Sequence, residues 1–261
     1  MDALYTAATG MEAQEANMDN LANNLANVNT SGFKKSRVEF EDLVYEQLTT
    51  PGSPTSPTEE SPIGIEVGQG VRVSGTARDF SRGNMRSTDG PLDIAVEGRG
   101  LFQVTLPSGE TAYTRAGGFH LNSDGLLVTA EGSPVEPQIT IPPDAIAVSI
   151  SKDGIVSAAL ANQTAPEQVG TIELALFQNE PGLRALGGNL FVATEASGEP
   201  TVAAPGTDGL GTVAQGFLEE SNVNVAEEMV NMIRAQRAFE ANAQVMRTAD
   251  EMLQQVNSLI Q

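Results

Sequence analysis

"SNVNVAEEMVNMIRAQRAFEANAQVMRTADEMLQQVNSLIQ", residues 221–261, is the stretch that decides the fold. Apolar side chains recur in it at every seventh position, a spacing that predicts a long helix with an apolar seam of the coiled-coil type. Asn224 can cap this helix, and Glu227 and Glu228 suit the positive end of its dipole. We expect about 36 residues of helix from Val225, or ~54 Å. The seam consists of Val225, Met232, Phe239, Met246, Leu253 and Ile260, supported by Met229, Ala235, Ala249 and Val256.

The same seven-residue pattern occurs near the N-terminus, in "LYTAATGMEAQEANMDNLANNLANVNTSGFKK", residues 4–35. It predicts a second helix over residues 1–30. Two terminal helices with matching seams would most simply pack against one another. The N-terminal seam consists of Leu4, Met11, Met18, Leu21, Leu25 and Val28.

Asparagines cover the opposite side of the N-terminal helix. Asparagine is a poor helix former, and five of them cost about 2–3 kcal/mol of helix propensity. We therefore expect the helix to become ordered only when other copies pack beside it. The amides then either bond between subunits or line a hydrated channel, unless this face is simply exposed to solvent. The amides are those of Asn17, Asn20, Asn23, Asn24 and Asn27.

Between the helices the period of the pattern changes to two. Turn signals at "PSGE" (107–110), "NSDG" (122–125), "AEGSP" (130–134) and "SKDG" (151–154) flank short apolar runs and predict β-hairpins. One stretch differs from both patterns. "TTPGSPTSPTEESP", residues 49–62, should be extended and mobile when alone in water. Its prolines are Pro51, Pro54, Pro57 and Pro62.

The predicted fold class is α+β. Two long terminal helices form a coiled-coil-like pair that encloses a mostly antiparallel β domain, with an extended Pro-rich segment. The expected domains are an N-terminal axial helix (1–30), an extended connector (31–90) with a Pro-rich insertion (46–70), a β domain (91–215) and a C-terminal axial helix (216–261).

Composition and motifs exclude most kinds of chemistry. With 34 acidic and 14 basic residues the formal charge is −20, so we expect no binding to nucleic acid or to an anionic membrane. The absence of cysteine excludes disulfides and thiolate sites, and the one histidine, His120, lacks a second imidazole for a metal pair. Walker A, H-E-x-x-H, G-x-S-x-G and complete EF-hand motifs are absent. We expect no enzymatic activity and no catalytic, cofactor-binding or metal site.

Two groups of charged residues receive a structural interpretation. The one basic cluster, Arg72, Arg78, Arg82 and Arg86, should pair with carboxylates of this chain or of a neighbouring copy. Acidic pairs such as Glu219 with Glu220 should be solvated.

The start "MDALYTAATGMEAQEANM" has neither a positive n-region nor an apolar h-region, so neither a cleaved signal nor membrane insertion is expected.

Three stretches, in the right order, resemble the flagellar rod and hook axial proteins of bacteria. "MDNLANNLANVNTSGFKK" (18–35) followed by "FEDLVYEQ" (40–47) resembles their N-terminal signature. "DIAVEGRGLFQVTLPSGETAYTRAGGFHLNSDGLLVTAEGSPVEP" (93–137) is similar to their shared β region, and "SNVNVAEEMVNMIRAQRAFEANAQV" (221–245) with "DEMLQQ" to their C-terminal signature. The resemblance spans nearly the whole chain.

This resemblance implies a structural subunit. The length and the extension from Glu46 to about Gly70 are most similar to the distal-rod members, which form a hollow, straight drive shaft that transmits torque from the motor to the hook and contains the export channel. The terminal helices would form the inner tube, with Asn17, Asn20, Asn24 and Asn27 facing the channel or neighbouring subunits. The Pro-rich segment would lie along neighbouring subunits and stiffen the rod.

The resemblance also implies partners and a location. The partners would be other copies of the same chain in a helical homo-oligomer, the proximal rod proteins, the hook protein and the surrounding ring (bushing) proteins. The location would be the basal body, where the rod spans the periplasm. Export would use the flagellar type III apparatus without a cleaved signal peptide. Three alternatives stay open: a proximal rod or hook subunit of the same family, a secreted adhesin with a coiled-coil stalk, and a muralytic hydrolase with paired carboxylates in a cleft.

Overall fold

The computed structural model describes residues 2–51, 54–56, 59–60, 63–161 and 165–259. These residues form two α-helices, one 3₁₀ turn (Glu180–Gly182) and short strands in antiparallel pairs, which confirms the α+β class. The elements are α1 Asp2–Ala26, β1 Ser36–Asp42, β2 Tyr45–Thr49, β3 Pro54–Ser56, β4 Glu59–Glu60, β5 Ile65–Gly68, β6 Val71–Arg78, β7 Met85–Ser87, β8 Ile94–Glu97, β9 Leu101–Thr105, β10 Thr111–Thr114, β11 His120–Leu121, β12 Leu127–Val128, β13 Val135–Glu136, β14 Ala145–Ile150, β15 Ile155–Leu160, β16 Glu167–Thr171, β17 Leu174–Leu176, β18 Arg184–Gly187, β19 Leu190–Val192, β20 Thr201–Ala203, β21 Thr212–Gln215, β22 Phe217–Glu219 and α2 Val225–Leu259.

The chain divides into two compact units. We call the first the helical unit; it comprises Met1–Leu25, Ser36–Ala77 and Asn224–Gln261. The second, the β unit, comprises Ala26–Lys35 and Arg78–Val223.

Helix α2 begins where the sequence predicts. The Asn224 Oδ1 accepts a hydrogen bond from the Ala226 N–H at 3.1 Å, and two glutamates lie in the first turn. These contacts satisfy N–H groups that a helix start leaves free. The predicted helix over 216–261 is wrong for its first residues, because β22 (Phe217–Glu219) pairs with β7.

Helix α1 ends at Ala26, so the prediction of a helix up to residue 30 is wrong at that end. The chain turns instead, with the Thr30 N–H donating to the Asn27 carbonyl at 3.1 Å. Gly32 follows with a φ of +72°, where a Cβ would lie 2.5 Å from the Ala116 amide nitrogen. Only glycine fits such a close approach in a left-handed conformation.

Within the helical unit the two helices touch at separated points. The Asn24 side chain donates to Glu228 at 3.5 Å, and a Cβ on Gly10 would lie 2.7 Å from the Asn242 amide. The two contacts are equally spaced along both helices and in opposite order, so α1 and α2 run antiparallel. Continuous coiled-coil packing between them stays a prediction.

A β-ribbon completes the helical unit. β1 pairs with β6, β2 pairs with β5 and β3 pairs with β4. The ribbon lies on α1 near Gly70, where a Cβ would meet the Thr9 hydroxyl.

The core of the β unit lies around one seven-stranded sheet. Its order is β18-β19-β10-β9-β17-β20, and β13 also pairs with β9. Phe102 packs edge-on against Phe119 with ring centroids 5.1 Å apart, and Tyr113 packs in the same way against Phe177 at 4.8 Å. Such edge contacts add to the free energy gained by burying the rings.

Three of the four predicted hairpins are confirmed. At "AEGSP" the chain turns with one isolated bridge between Val128 and Pro134, but the next strand, β13, pairs with β9. "PSGE" joins β9 to β10, "NSDG" joins β11 to β12 and "SKDG" joins β14 to β15. At "NSDG" the Asn122 side chain accepts the N–H groups of Asp124 and Leu126 at 2.9 and 2.8 Å, and Gly125 takes a φ of +77°. An Asx turn closed by glycine is the reason this tetrapeptide forms a turn.

A buried ionic cluster, Lys34, Arg115 and Glu219, lies inside the β unit. The Lys34 Nζ is 2.8 Å from the Glu219 carboxylate, which also accepts a bond from the Arg115 guanidinium. All three side chains are at least 95% buried. The prediction that Glu219 is solvated is therefore wrong.

Backbone groups complete this cluster. Glu219 accepts the Gly83 N–H at 2.8 Å, and Lys34 donates to the Ser81 carbonyl at 2.7 Å. Arg115 donates to the carbonyls of Val96 and two neighbouring glycines. Buried charges are tolerated only when paired and hydrogen-bonded in this way.

The pKa values reflect one carboxylate between two cations. Burial raises the pKa of Glu219, but Arg115 and Lys34 outweigh this effect, so the pKa lies below its usual range. Burial lowers the pKa of Lys34 despite the attraction of Glu219. Because the folded-state pKa of Glu219 is depressed, its contribution to stability is present above about pH 4.3, the unfolded-state pKa, and is lost as the pH falls through the folded-state value.

Replacing Glu219 with Gln should lower the free energy of unfolding of the β unit by about 3–5 kcal/mol, because two buried cations lose their carboxylate. The measurement is urea unfolding followed by circular dichroism. Glu220→Gln is the matched control; that side chain is 45% exposed and 3.8 Å from Arg86, so its effect should stay within about 0.5 kcal/mol. Equal losses for the two variants would contradict a special role of the buried cluster.

Candidate functional site

The α2 seam predicted for assembly is largely open to solvent. Val225, Met229 and Leu253 are 41%, 53% and 45% exposed, and Met232, Phe239 and Met246 are half-buried. Ile260 lies outside the described residues.

The row of α2 that faces inward contains only the two alanines of the predicted seam. Glu228, Ala235 and Ala249 are buried, and Asn242, which contacts α1 at Gly10, lies between the two alanines in the same seven-residue step. Small and polar residues, not the large apolar ones, therefore form the inner face of α2. The large apolar side chains remain available to another molecule.

The α1 seam is more buried than the α2 seam. Leu21 is buried, and Leu4, Met11, Met18 and Leu25 are half-buried. Val28 lies in the turn after α1, so its place in the helical seam is wrong.

Two of the predicted assembly amides are used inside the chain. The Asn24 amide donates to the Ser36 carbonyl at 2.8 Å, and its oxygen accepts the Ser36 N–H at 3.0 Å. Asn20 donates to the same carbonyl at 2.7 Å and accepts the Ser36 hydroxyl. Asn24 is 1% exposed, so its assignment to a channel wall is wrong. These amides bind the first residue of β1 to α1.

The other amides are placed differently. Asn17 is half-buried on α1, and Asn23 is exposed. Asn27 follows α1 in the turn and accepts the Thr30 hydroxyl at 3.2 Å, so it is not part of a helical face.

Exposed large apolar side chains concentrate in the helical unit, on α2 and on the β-ribbon. We call them the apolar surface. A monomer rarely exposes so many such groups together unless they bind another molecule. The apolar surface consists of Phe40, Val44, Tyr45, Leu48, Ile63, Ile65, Val67, Val73, Val225, Met229, Val230, Ile233, Val245, Met252 and Leu253.

The Pro-rich segment is described in part. Pro51 is exposed in a turn after β2, and Pro54 begins β3, whose backbone pairs with β4. Pro57 and Pro62 lie outside the described residues.

The arginine cluster pairs mostly with carboxylates of the same chain, as predicted. The ion pairs are Arg72–Glu41 at 2.9 Å, Arg82–Glu97 at 3.8 Å and Arg86–Glu220 at 3.8 Å. Arg78 differs, because its guanidinium carbon lies 5.3 Å from the centre of the Phe191 ring and it donates to the Lys34 carbonyl at 3.5 Å.

Sequence reasoning did not identify the ionic cluster or Ser36 as important. Lys34 stands in a quoted signature, but no local pattern shows that its partner is Glu219, far away in the chain. Within the described ranges no group of three or more histidine, cysteine, aspartate or glutamate side chains could hold a metal. Neither helix, over the same ranges, has the length and apolar character needed to cross a membrane.

Three family models match successive parts of the chain. They are "Flagella basal body rod protein" (residues 4–34), "Flagellar hook protein FlgE/F/G D1 domain" (95–158) and "Flagellar basal body rod FlgEFG protein C-terminal" (214–259). The matched ranges include α1, the central strands of the β unit and α2.

Full-length relatives are similar as well. The flagellar basal-body rod protein FlgG of Buchnera aphidicola subsp. Baizongia pistaciae is 49% identical over 98% of this chain and 99% of its own. FlgG of Caulobacter vibrioides is 48% identical over 99% of both chains, and FlgG of Bacillus subtilis is 39% identical over 98% of both. The solved hook protein FlgE2 of Helicobacter pylori aligns with 71% of this chain but only 43% of its own, at 17% identity and a TM-score of 0.25.

Replacing Asn24 with Ala should lower the unfolding midpoint of the helical signal, because the Ser36 N–H loses its partner and the Ser36 carbonyl keeps only the Asn20 amide. Leaving a buried group unpaired costs about 1–3 kcal/mol, and we expect the lower end of this range because Ser36 is half-buried. Circular dichroism at 222 nm during heating measures it. Asn17→Ala, a half-buried change in the same helix, should be neutral or stabilising by a few tenths of a kcal/mol. A midpoint for Asn24→Ala as high as for Asn17→Ala would show that the Ser36 contacts contribute nothing.

Proposed function

Because the chain belongs to the FlgG family of flagellar basal-body rod proteins and is a structural subunit of the rod, we propose that it builds the distal rod by self-assembly into a straight, hollow tube. In this proposal the shaft transmits torque from the motor to the hook and encloses the export channel. Besides its own copies, the chain has as partners the proximal rod proteins, the hook protein, the surrounding ring proteins and the flagellar export apparatus. In this proposal the export apparatus delivers the subunit to the periplasm, where it works.

The apolar surface is the observation that carries this proposal. On α2, Met229 and Ile233 are each about half exposed one turn apart, although a monomer gains nothing from leaving them in water. Burying such side chains against a neighbouring subunit contributes roughly 1.5–3 kcal/mol each. Contacts of this kind build a tube and not a dimer when they join two different faces of each subunit, because such a contact can repeat without closing.

The predicted seams belong to this assembly surface. Val225 and Leu253 mark the two ends of the exposed α2 row. A neighbouring subunit packed on this row would also cover the half-buried residues between them. The α1 seam, from Leu4 to Leu25, contacts neighbouring subunits in the same way. Asn17, which is half-buried, and Asn23, which is exposed, are the α1 amides placed for a wet contact between subunits or for the channel wall.

The Pro-rich segment supplies stiffness in this proposal. Proline has few conformations to lose when an extended segment docks, so a docked Pro-rich segment is rigid at low entropic cost. The neighbouring strands β2 and β5 carry exposed apolar residues such as Leu48 and Ile65, which suits contact with an adjacent subunit.

Replacing Ile233 with Glu should reduce incorporation of the chain into isolated basal bodies at least tenfold, because a carboxylate is placed in an apolar contact. The measurement is immunoblotting of basal bodies from cells whose own rod-subunit gene is deleted. Gln236→Glu, an exposed change one turn further with the same charge, is the control and should assemble normally. Normal incorporation of Ile233→Glu would contradict this use of α2.

Deleting residues 49–62 tests the distal-rod assignment. If the segment blocks sliding between subunits, rods made from the shortened chain should bend or overgrow in electron micrographs of basal bodies. A Gly/Ser replacement of equal length is the control for spacing, and it should also lose straightness because it lacks proline. Straight rods of normal length from both variants would contradict a stiffening role.

A further inference from the structure

A cavity of about 480 Å³ opens in the β unit beside the buried ionic cluster. Apolar groups, among them Phe80, Leu101 and Pro181, form part of its wall. The other wall is cationic. The basic side chains that line the cavity are Lys34, Arg78, Arg82, Arg99 and Arg115.

This concentration of positive charge is unusual for this chain. The chain has 14 basic residues against 34 acidic ones, yet five of the basic residues line one cavity that only two carboxylates, Asp79 and Glu180, also line. Even when the buried Glu219 behind the wall is counted, the five basic side chains exceed the three carboxylates. The cavity is therefore a local positive site on a strongly negative molecule.

Arg78 is the group in the wall that lacks a carboxylate. Burial lowers its pKa, although a guanidinium remains charged in proteins. Its contacts are the Lys34 carbonyl and the Phe191 ring face, and no ion pair of the described chain includes it. A half-buried guanidinium without an anion is favourably placed to accept one.

Two further arginines stand at the opening. Arg82 is 43% exposed and 3.8 Å from Glu97, which is 53% exposed; an exposed pair of this kind is worth little, so Arg82 can exchange its partner at small cost. Arg99 is 61% exposed, and its Nε and Nη2 donate to Glu180 at 3.3 and 3.0 Å, so its Nη1 can bind a second carboxylate while that pair is kept. Arginine is the side chain best suited to bidentate binding of a carboxylate in an interface.

We propose that this cavity receives an acidic segment of a second copy of the chain, with Arg78 and Arg99 binding its carboxylates. The inference rests on the proposed function, because assembly brings copies together. Charge complementarity selects the occupant: a neighbouring copy has 34 acidic residues and a net charge of −20, and each of its carboxylates bound here removes a repulsion between copies. The apolar wall accommodates the stem of the inserted side chain.

The test compares two double variants with the same change in net charge. Arg78→Glu/Arg99→Glu reverses the cavity, whereas Lys152→Glu/Arg184→Glu reverses two exposed cations of the β unit outside it. Both are expressed as full chains in cells whose own rod-subunit gene is deleted. We expect the cavity variant to fall at least tenfold in isolated basal bodies and the control to assemble like the wild type.

A second measurement does not depend on the folding of a charge variant. In the otherwise unchanged chain, Arg82→p-benzoylphenylalanine places a photoreactive group at the opening. Irradiation of isolated basal bodies should link two copies of the chain covalently. The peptide of the second copy that carries the cross-link should contain Asp or Glu close to the linked residue.

The outcomes separate this inference from the proposed function. Absence of the wild-type chain from basal bodies would overturn the proposed function and this inference with it. If the wild type is present, normal incorporation of the cavity variant, equal loss in the control, a cross-link to a different protein or no cross-link between copies would each overturn the inference alone.

Discussion

The carboxylate of Glu219, held between Lys34 and Arg115, is the interaction on which the β unit depends. Lys34 lies in the segment that follows α1, Glu219 lies in the segment that precedes α2, and Arg115 ends a central hairpin. One carboxylate thus joins the incoming and outgoing chain to the main sheet. Its charge is stabilised only while both cations and the surrounding backbone groups remain in place, so the three segments become ordered together.

The same principle operates on a smaller scale at Ser36. The asparagines that weaken α1 as an isolated helix recover part of that loss, because Asn20 and Asn24 bond the backbone where β1 begins. A hydrogen bond contributes about 1 kcal/mol, close to what an asparagine costs in a helix. Each of these two residues makes two hydrogen bonds to Ser36, so the bonds more than offset the helix propensity that it costs, and they also fix where the ribbon leaves α1.

Local patterns explain what could be predicted from the sequence. The start of α2 depends on Asn224 and its neighbours, and the "NSDG" turn depends on Asn122 and Gly125, so a few adjacent residues contain the information. By contrast, the turn at Gly32 depends on the distant Ala116, and the burial of Glu219 depends on Lys34 and Arg115. Helical projection placed Ala235 and Ala249 in the seam but did not show that the large apolar residues of the same seam stay exposed, because periodicity gives the faces of a helix and not their partners.

The two candidate contact surfaces differ in chemistry, and the difference suits a straight rod. Apolar burial is non-directional, so the apolar surface of α2 and the ribbon can hold neighbours together in several slightly shifted positions. Arginine–carboxylate pairs are directional and discriminate between registers. A subunit with only the first surface would form a tube able to slide and bend, whereas a cationic cavity that accepts a carboxylate at one position would select a single register. The large negative charge supports this selection, because copies in any other register face one another with unpaired carboxylates.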